Sequence, residues 1–198
     1  MKKSLWILLI FNLAYILGFA IYYASIKNYE FLGYIALLVI LFLLVTFTYK
    51  YTTFSDKLLW ALTVWGLLHM LGGGLIVGGA VLYRLQLIPI WITENFYVLR
   101  MDQFIHAYLY FVVVFVIWHL LKGNLNKNMN KWLVLIIVGL ASVGIGGLNE
   151  IIEFMMVLFL DKTGVGGYYN TLWDIVSNTV GAILGVLLLA FMSRSKKG

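Results

Sequence analysis

Apolar residues in this chain come in long runs, not in alternation. Six stretches are each long enough, at about 1.5 Å of rise per residue, for a helix of about 20 residues to cross a hydrocarbon core. They are Leu5–Ser25, Phe31–Tyr49, Leu58–Tyr83, Met101–Leu121, Trp132–Leu160 and Thr171–Met192. The pattern predicts an all-α, polytopic transmembrane helical bundle with six spans, forming a single membrane domain over residues 1–198. Short loops make spans adjacent in sequence neighbours in space. The continuity of the runs argues against a membrane β-barrel, whose strands alternate. The apolar run of the opening MKKSLWILLIFNLAYILGFA is too long for a signal peptide, and no small-x-small cleavage site precedes a soluble domain, so it is read as span one.

Spans three and five exceed a straight crossing, and tilt or a break absorbs the excess. Span three contains HMLGGGLIVGG, where Gly72–Gly74 predict a kink or an unwound turn. Close helix packing is the favoured main role of the glycines, with Gly74 and Gly78 forming a GxxxG pair, as do Gly181 and Gly185 in span six. The one long connection, RLQLIPIWITENFYVLR over 84–100, is expected to lie along the outer interface or to dip in as a lid. Trp91, Phe96 and Tyr97 suit its headgroup zone.

Composition sharpens this reading. With 63% hydrophobic residues, 11% charged and a mean hydropathy of +0.98, the chain has too little polar surface for a soluble domain. The absence of cysteine rules out disulfides and thiolate metal sites. A net charge of +6 raises the question of nucleic acid, but the cations sit at span ends, so no nucleic-acid partner is expected. Of the 14 lysines and arginines, one set of ends carries Lys2, Lys3, Lys50, Lys57, Lys122, Lys127, Lys131, Arg194, Lys196 and Lys197. The other set carries Lys27, Arg84, Arg100 and Lys162. That asymmetry predicts a multi-pass protein of the plasma (inner) membrane with both termini cytoplasmic. The aromatic content of 17% is ordinary for bilayer anchoring and packing, and His119 reads as a headgroup-level residue.

Candidate chemistry lies in the acids that the runs contain. Glu30, Asp56, Glu94 and Asp161 fall in loops and need no special explanation. Asp102, Glu150, Glu153 and Asp174 fall inside or at the edge of spans. Counted from the outer span ends, Asp102 is near the surface, Asp174 about 6 Å down, His106 about 8 Å, Glu153 about 10 Å, Asn178 about 12 Å and Glu150 about 15 Å. His69 is near the midplane. Asp102 and His106, Asn149 and Glu153, and Asp174 and Asn178 are each four residues apart, and Glu150 and Glu153 three apart, so each pair shares a helix face. Exposing such faces to lipid costs several kcal/mol or more per charge, so they are expected to face a polar cavity between spans four, five and six. Two adjacent glutamates there call for a proton on one of them or a compensating cation.

DQFIHAYLYF (102–111), NEIIEF (149–154) and YNTLWDIVSNTVGAILG (169–185) resemble the three motifs of VanZ-like membrane proteins. Those motifs are an acidic-x-x-x-His segment, a glutamate-bearing helix, and an Asp-x-x-x-Asn-x-x-Gly segment opening the last helix. HMLGGG (69–74) and the wording EIIEF resemble more closely the YjdF-like group of small bacterial inner-membrane proteins. VanZ-like proteins typically have glutamine after the glutamate and an arginine in the following loop. Here Phe154 and the arginine-free DKTGVGGYYN stand in those places. The resemblance covers residues 65–190. It implies a link to the cell envelope and to glycopeptide-antibiotic tolerance, and a site without a named reaction.

The site reading assigns Glu150, Glu153, His106, Asp102 and Asp174 to catalysis, and Arg84, Arg100, Asn178, Asn149 and His69 to substrate binding. Glu150, Glu153, Asp174 and His106 are candidate ligands for a divalent cation, Mg²⁺ or Mn²⁺ by their oxygens, or Zn²⁺ if His106 joins. Each has a bland counterpart. Asp102 and Asp174 suit helix starts, the glutamates could pair with Arg100 or His69, Asn178 could bond across helices, His69 could be a buried partner of a carboxylate, and Arg84 and Arg100 could snorkel. The expected partners are membrane lipids and an anionic lipid-linked envelope molecule, processed by hydrolysis or group transfer. The alternatives are a proton-coupled transporter and a non-catalytic membrane scaffold.

Overall fold

The fold is seen in a computed structural model that describes residues 3–90, 93, 96–126 and 128–194. Lys2, Trp91, Glu94, Lys127, Lys196 and Lys197, to which the sequence assigns places at span ends or in the outer loop, lie outside the described residues. Six α-helices make up most of the described chain: α1 (Lys3–Ser25), α2 (Tyr29–Thr52), α3 (Asp56–Gly74), α4 (Met101–Leu121), α5 (Lys131–Phe159) and α6 (Tyr168–Arg194). All but α3 are long and apolar enough to cross a membrane. Their outer faces carry Ile21, Leu140, Leu187 and Phe191, each more than half exposed. Such apolar surfaces are at home in lipid, where a helix satisfies its own backbone. The chain divides into two compact units, one of Met1–Leu85 and Phe154–Val165, the other of Gln86–Glu153 and Gly166–Gly198.

In the first unit α1, α2 and α3 pack around Ile16, Tyr23, Phe31, Ile35, Leu38 and Met70. Asn28 caps α2 by accepting the Phe31 N–H, and Ser55 caps α3 by accepting the Leu58 N–H. Polar groups on the packed faces pair across helices, as when Asn12 Nδ2 donates to Thr63 Oγ1 at 2.8 Å and Tyr23 Oη donates to the Met70 carbonyl at 2.6 Å.

The third helix departs from its expected form. The helix stops at Gly74, and the next residues form a two-stranded ribbon, β1 (Ile76–Val77) with β2 (Ala80–Val81). Gly78 and Gly79 make its turn at φ +60° and +83°, the left-handed conformation a two-residue hairpin turn requires. A 3-10 turn over Leu82–Arg84 follows. The expected Gly74–Gly78 packing pair therefore does not exist, because Gly78 is a turn residue with open space beside it. The break foreseen near Gly72–Gly74 falls just after them: all three glycines are still helical, and the helix ends at Gly74. Those glycines lie against aromatic rings: a Cβ on Gly72 would strike Tyr83, and one on Gly73 would strike Phe31.

Glu30 also departs from expectation. It lies in the first turn of α2, is 7% exposed, and accepts the Gly164 N–H. A loop acid would be solvated, and this one instead ties the 154–165 segment to α2 within the first unit.

The second unit holds α4, α6 and α5 as far as Glu153, around Val114, Leu135, Val138, Ala182 and Leu189. A second ribbon pairs β3 (Gln86–Ile90) with β4 (Val98–Arg100) within the long connection expected to be a loop. Gly181 and Gly185 do pack as the sequence predicts. A Cβ on Gly181 would collide with the Ala107 carbonyl of α4, and one on Gly185 would sit 2.9 Å from the Phe111 carbonyl. The two backbones can approach this closely only without side chains between them. Ser142 Oγ of α5 donates to the Tyr110 carbonyl of α4 at 2.9 Å.

Candidate functional site

The way the chain enters α4 sets the position of the first candidate pair. The Arg100 N–H donates to Gln103 Oε1 at 3.0 Å, and Gln103 Nε2 donates to the Tyr97 carbonyl at 3.0 Å. Gln103 is thus a reciprocal lock on the first turn, in the manner of a capping box, and it is 2% exposed. Asp102 lies in that turn and His106 one turn further along the same face.

His106 is the centre of the site. Its Nε2 lies 3.8 Å from Asp102 Oδ1 and 3.9 Å from Glu153 Oε1. Its Nδ1 lies 3.5 Å from Glu150 Oε1 and 3.0 Å from Asn178 Oδ1. Asp174 completes the group, since Asp102, His106 and Asp174 each offer a ligand atom within 4.8 Å of the others. The same holds for His106, Glu150 and Glu153. Three helices therefore bring four carboxylates to one imidazole. The described ion pairs of these carboxylates all run to His106, and none to a lysine or arginine.

Amides organise the centre. Asn178 Nδ2 donates to Glu150 Oε1 at 3.2 Å, which leaves Asn178 Oδ1 facing His106 as an acceptor. With the amide in that orientation Nδ1 carries a proton toward Asn178 Oδ1, and Nε2 lies 3.8 and 3.9 Å from Asp102 and Glu153. Asn149 Nδ2 donates to Glu153 Oε1 at 2.9 Å, and Asn170 Nδ2 to Asp174 Oδ2 at 2.6 Å. Two oxygens remain over: Glu150 Oε2 and Asp174 Oδ1 are buried with no hydrogen-bond partner among the described residues.

Of the sequence candidates, Asp102, His106, Asn149, Glu150, Glu153, Asp174 and Asn178 are brought together. Arg100 stands at the start of α4 with its guanidinium 3.5 Å from the centre of the Tyr97 ring. The Tyr97 phenol is pushed up from its ordinary pKa by burial, with the Arg100 charge opposing. Arg84 and His69 belong to the first unit. Arg84 is exposed at the end of its 3-10 turn. For His69 the sequence reading expected a carboxylate, but its Nδ1 is bonded by the Tyr83 hydroxyl, among the rings of Phe31, Tyr34 and Trp65. The same hydroxyl lies 3.0 Å from the His69 carbonyl. Removing it as Tyr83→Phe should lower the melting temperature in detergent, at a cost of about 1–2 kcal/mol for the orphaned imidazole nitrogen.

A model of the family described as predicted membrane protein (DUF2238) matches residues 4–195. The chain belongs to that family. Comparison with curated proteins and with solved structures gave no match. Membership makes the chain an integral membrane protein, in accord with its apolar helices.

Within this family member, three contributors to the centre went unnoticed in the sequence. Asn170 had the signal, since it stands four residues before Asp174, the spacing of three of the four pairs read from the sequence. Gln103 looked like an ordinary polar residue at a span start. Gly146 shows its part only in three dimensions: a Cβ there would meet the Asn178 amide at 2.9 Å, so the glycine makes room for it.

Proposed function

We propose that this is a six-span protein of the plasma membrane, with cytoplasmic termini, whose acidic–histidine centre acts on an anionic, lipid-linked envelope molecule by hydrolysis or group transfer. One observation carries the reading: Asp102, Glu150, Glu153 and Asp174 approach a single imidazole from three apolar helices. Ionisable groups in a membrane segment are costly, and several on one centre exceed what helix register needs. The motif resemblance to VanZ-like and YjdF-like proteins supports an envelope substrate.

In the hydrolytic form, Glu153 takes a proton from water as the water oxygen bonds to phosphorus or an acyl carbon. The bond to the leaving oxygen breaks, and that oxygen takes the proton carried by His106. Arg100 offers a fork for the anionic group. A phosphoryl or acyl transfer follows the same course with an alcohol in place of water.

The test uses purified full-length protein with polyprenyl phosphates, polyprenyl diphosphates and acidic phospholipids, reading released phosphate or fatty acid. Wild-type turnover, reduced about 10²- to 10⁴-fold in Glu153→Gln while the protein remains folded, is the expected result. Unchanged turnover in the Glu150→Gln/Glu153→Gln double variant rejects the catalytic reading. The unbroken set of titratable groups around His106 also suits a proton-coupled carrier. Uptake into proteoliposomes driven by a pH gradient, without product formation, would favour that alternative.

A further inference from the structure

We propose that His106, Asp102 and Asp174 bind a divalent cation of the zinc or manganese kind. The inference rests on the same centre as the functional reading above; in the cation-bound form His106 is a ligand and not the proton carrier, and occupancy is measured apart from turnover. A cluster of acids alone would not point to a metal. Three further features do.

The first is an orphan. Asp174 is 1% exposed, one of its oxygens accepts from Asn170, and the other is buried without a hydrogen-bond partner among the described residues. It belongs to a group whose ligand atoms lie within 4.8 Å of one another. A buried carboxylate oxygen with nothing to accept from is costly, and a cation supplies the missing interaction.

The second is the orientation of the imidazole. Glu150 holds Asn178, and Asn178 accepts from Nδ1, so Nε2 is directed at Asp102 and Glu153. A ligating histidine is characteristically fixed in this way through its other ring nitrogen. Here an amide held by a carboxylate does the fixing.

The third is scale and donor type. Ligand atoms in a tetrahedral zinc site are about 3.3 Å apart; the 3.8 Å from Nε2 to Asp102 exceeds that by about half an ångström, and Asp174 has its ligand atom within 4.8 Å of both. One imidazole with several carboxylate oxygens suits zinc or manganese better than magnesium, which prefers oxygen and retained water.

The experiment uses the full chain, purified in detergent and stripped with chelator, then titrated separately with ZnCl₂, MnCl₂ and MgCl₂. Calorimetry and elemental analysis after desalting read the stoichiometry. Wild type should retain one zinc or manganese per chain, with X-ray absorption showing imidazole scattering and nitrogen or oxygen ligands at about 2.0–2.2 Å. Asp102→Asn and Asp174→Asn should each weaken binding more than tenfold with little change of shape. Asn178→Ala, which touches no metal, should weaken it about 10- to 100-fold by releasing the ring. His119→Ala should bind as wild type does. No binding by wild type, or equal binding by the His106→Ala/Asp174→Asn variant, overturns the proposal. Turnover that survives complete metal removal overturns a catalytic metal while leaving the acid–base reading intact. Bound metal with no turnover of any substrate leaves the site standing and removes the enzymatic reading.

Discussion

His106→Ala is expected to destabilise the second unit by about 3–5 kcal/mol, the range seen when one partner of a buried ion pair is removed. The imidazole is the shared neighbour of Asp102, Glu150 and Glu153, and Asn178 depends on it as well. Its loss leaves carboxylates facing one another in apolar surroundings. The penalty is electrostatic, so it should be partly recovered by neutralising the neighbours. In a double-mutant cycle, Glu150→Gln combined with His106→Ala should cost clearly less than the two changes summed. Thermal or denaturant unfolding in detergent measures the coupling. Strict additivity would mean that the imidazole and the carboxylate do not sense each other, and the centre would lose its physical basis.

Gly181→Ala should be the most damaging of the glycine substitutions in α6. The new methyl group would overlap the Ala107 carbonyl of α4, a backbone atom that cannot rotate away. Overpacking of this kind costs about 1–3 kcal/mol and at times more. It also forces α4 from α6, and with it His106 from Asn178, whose hydrogen bond spans that same crossing. Metal retention and any activity should therefore fall together with stability. Gly185→Ala should be milder, because its nearest atoms are the Phe111 carbonyl at 2.9 Å and the Val114 side chain at 3.0 Å. Gly144→Ala and Gly147→Ala should be close to neutral, having nothing within 4 Å. Unfolding midpoints of the four variants test the order. Equal effects at Gly181 and Gly144 would show that the close approach of α4 and α6 is absent.

Both expectations rest on residues that the sequence marked, though not always for the reason the structure supplies. The Gly181 and Gly185 pair was legible because GxxxG on a membrane helix has one dominant meaning. The Gly74–Gly78 pair carried the same signature and proved to be a helix stop followed by a hairpin turn. The difference is context: three successive glycines weaken the helix, and Gly78–Gly79 between apolar residues is itself a turn signal. Glu30 was read as a solvated loop acid because its partner, the Gly164 N–H, is 134 residues away. His69 was read as a carboxylate's neighbour, and nothing in the sequence signalled the Tyr83 hydroxyl at its Nδ1, which the unwound chain after Gly74 delivers.

The sequence by itself determined the apolar helices, their approximate ends apart from the early stop of α3 at Gly74, and which polar side chains share a helix face. These are local properties, fixed by run length, capping and the 3.6-residue repeat. Tertiary structure alone decided which faces meet. The rotation of one helix against another depends on contacts remote in the chain, here the seating of α6 on the Ala107 carbonyl and of Asn178 against Gly146. That rotation turns three separate polar faces into one imidazole ringed by carboxylates.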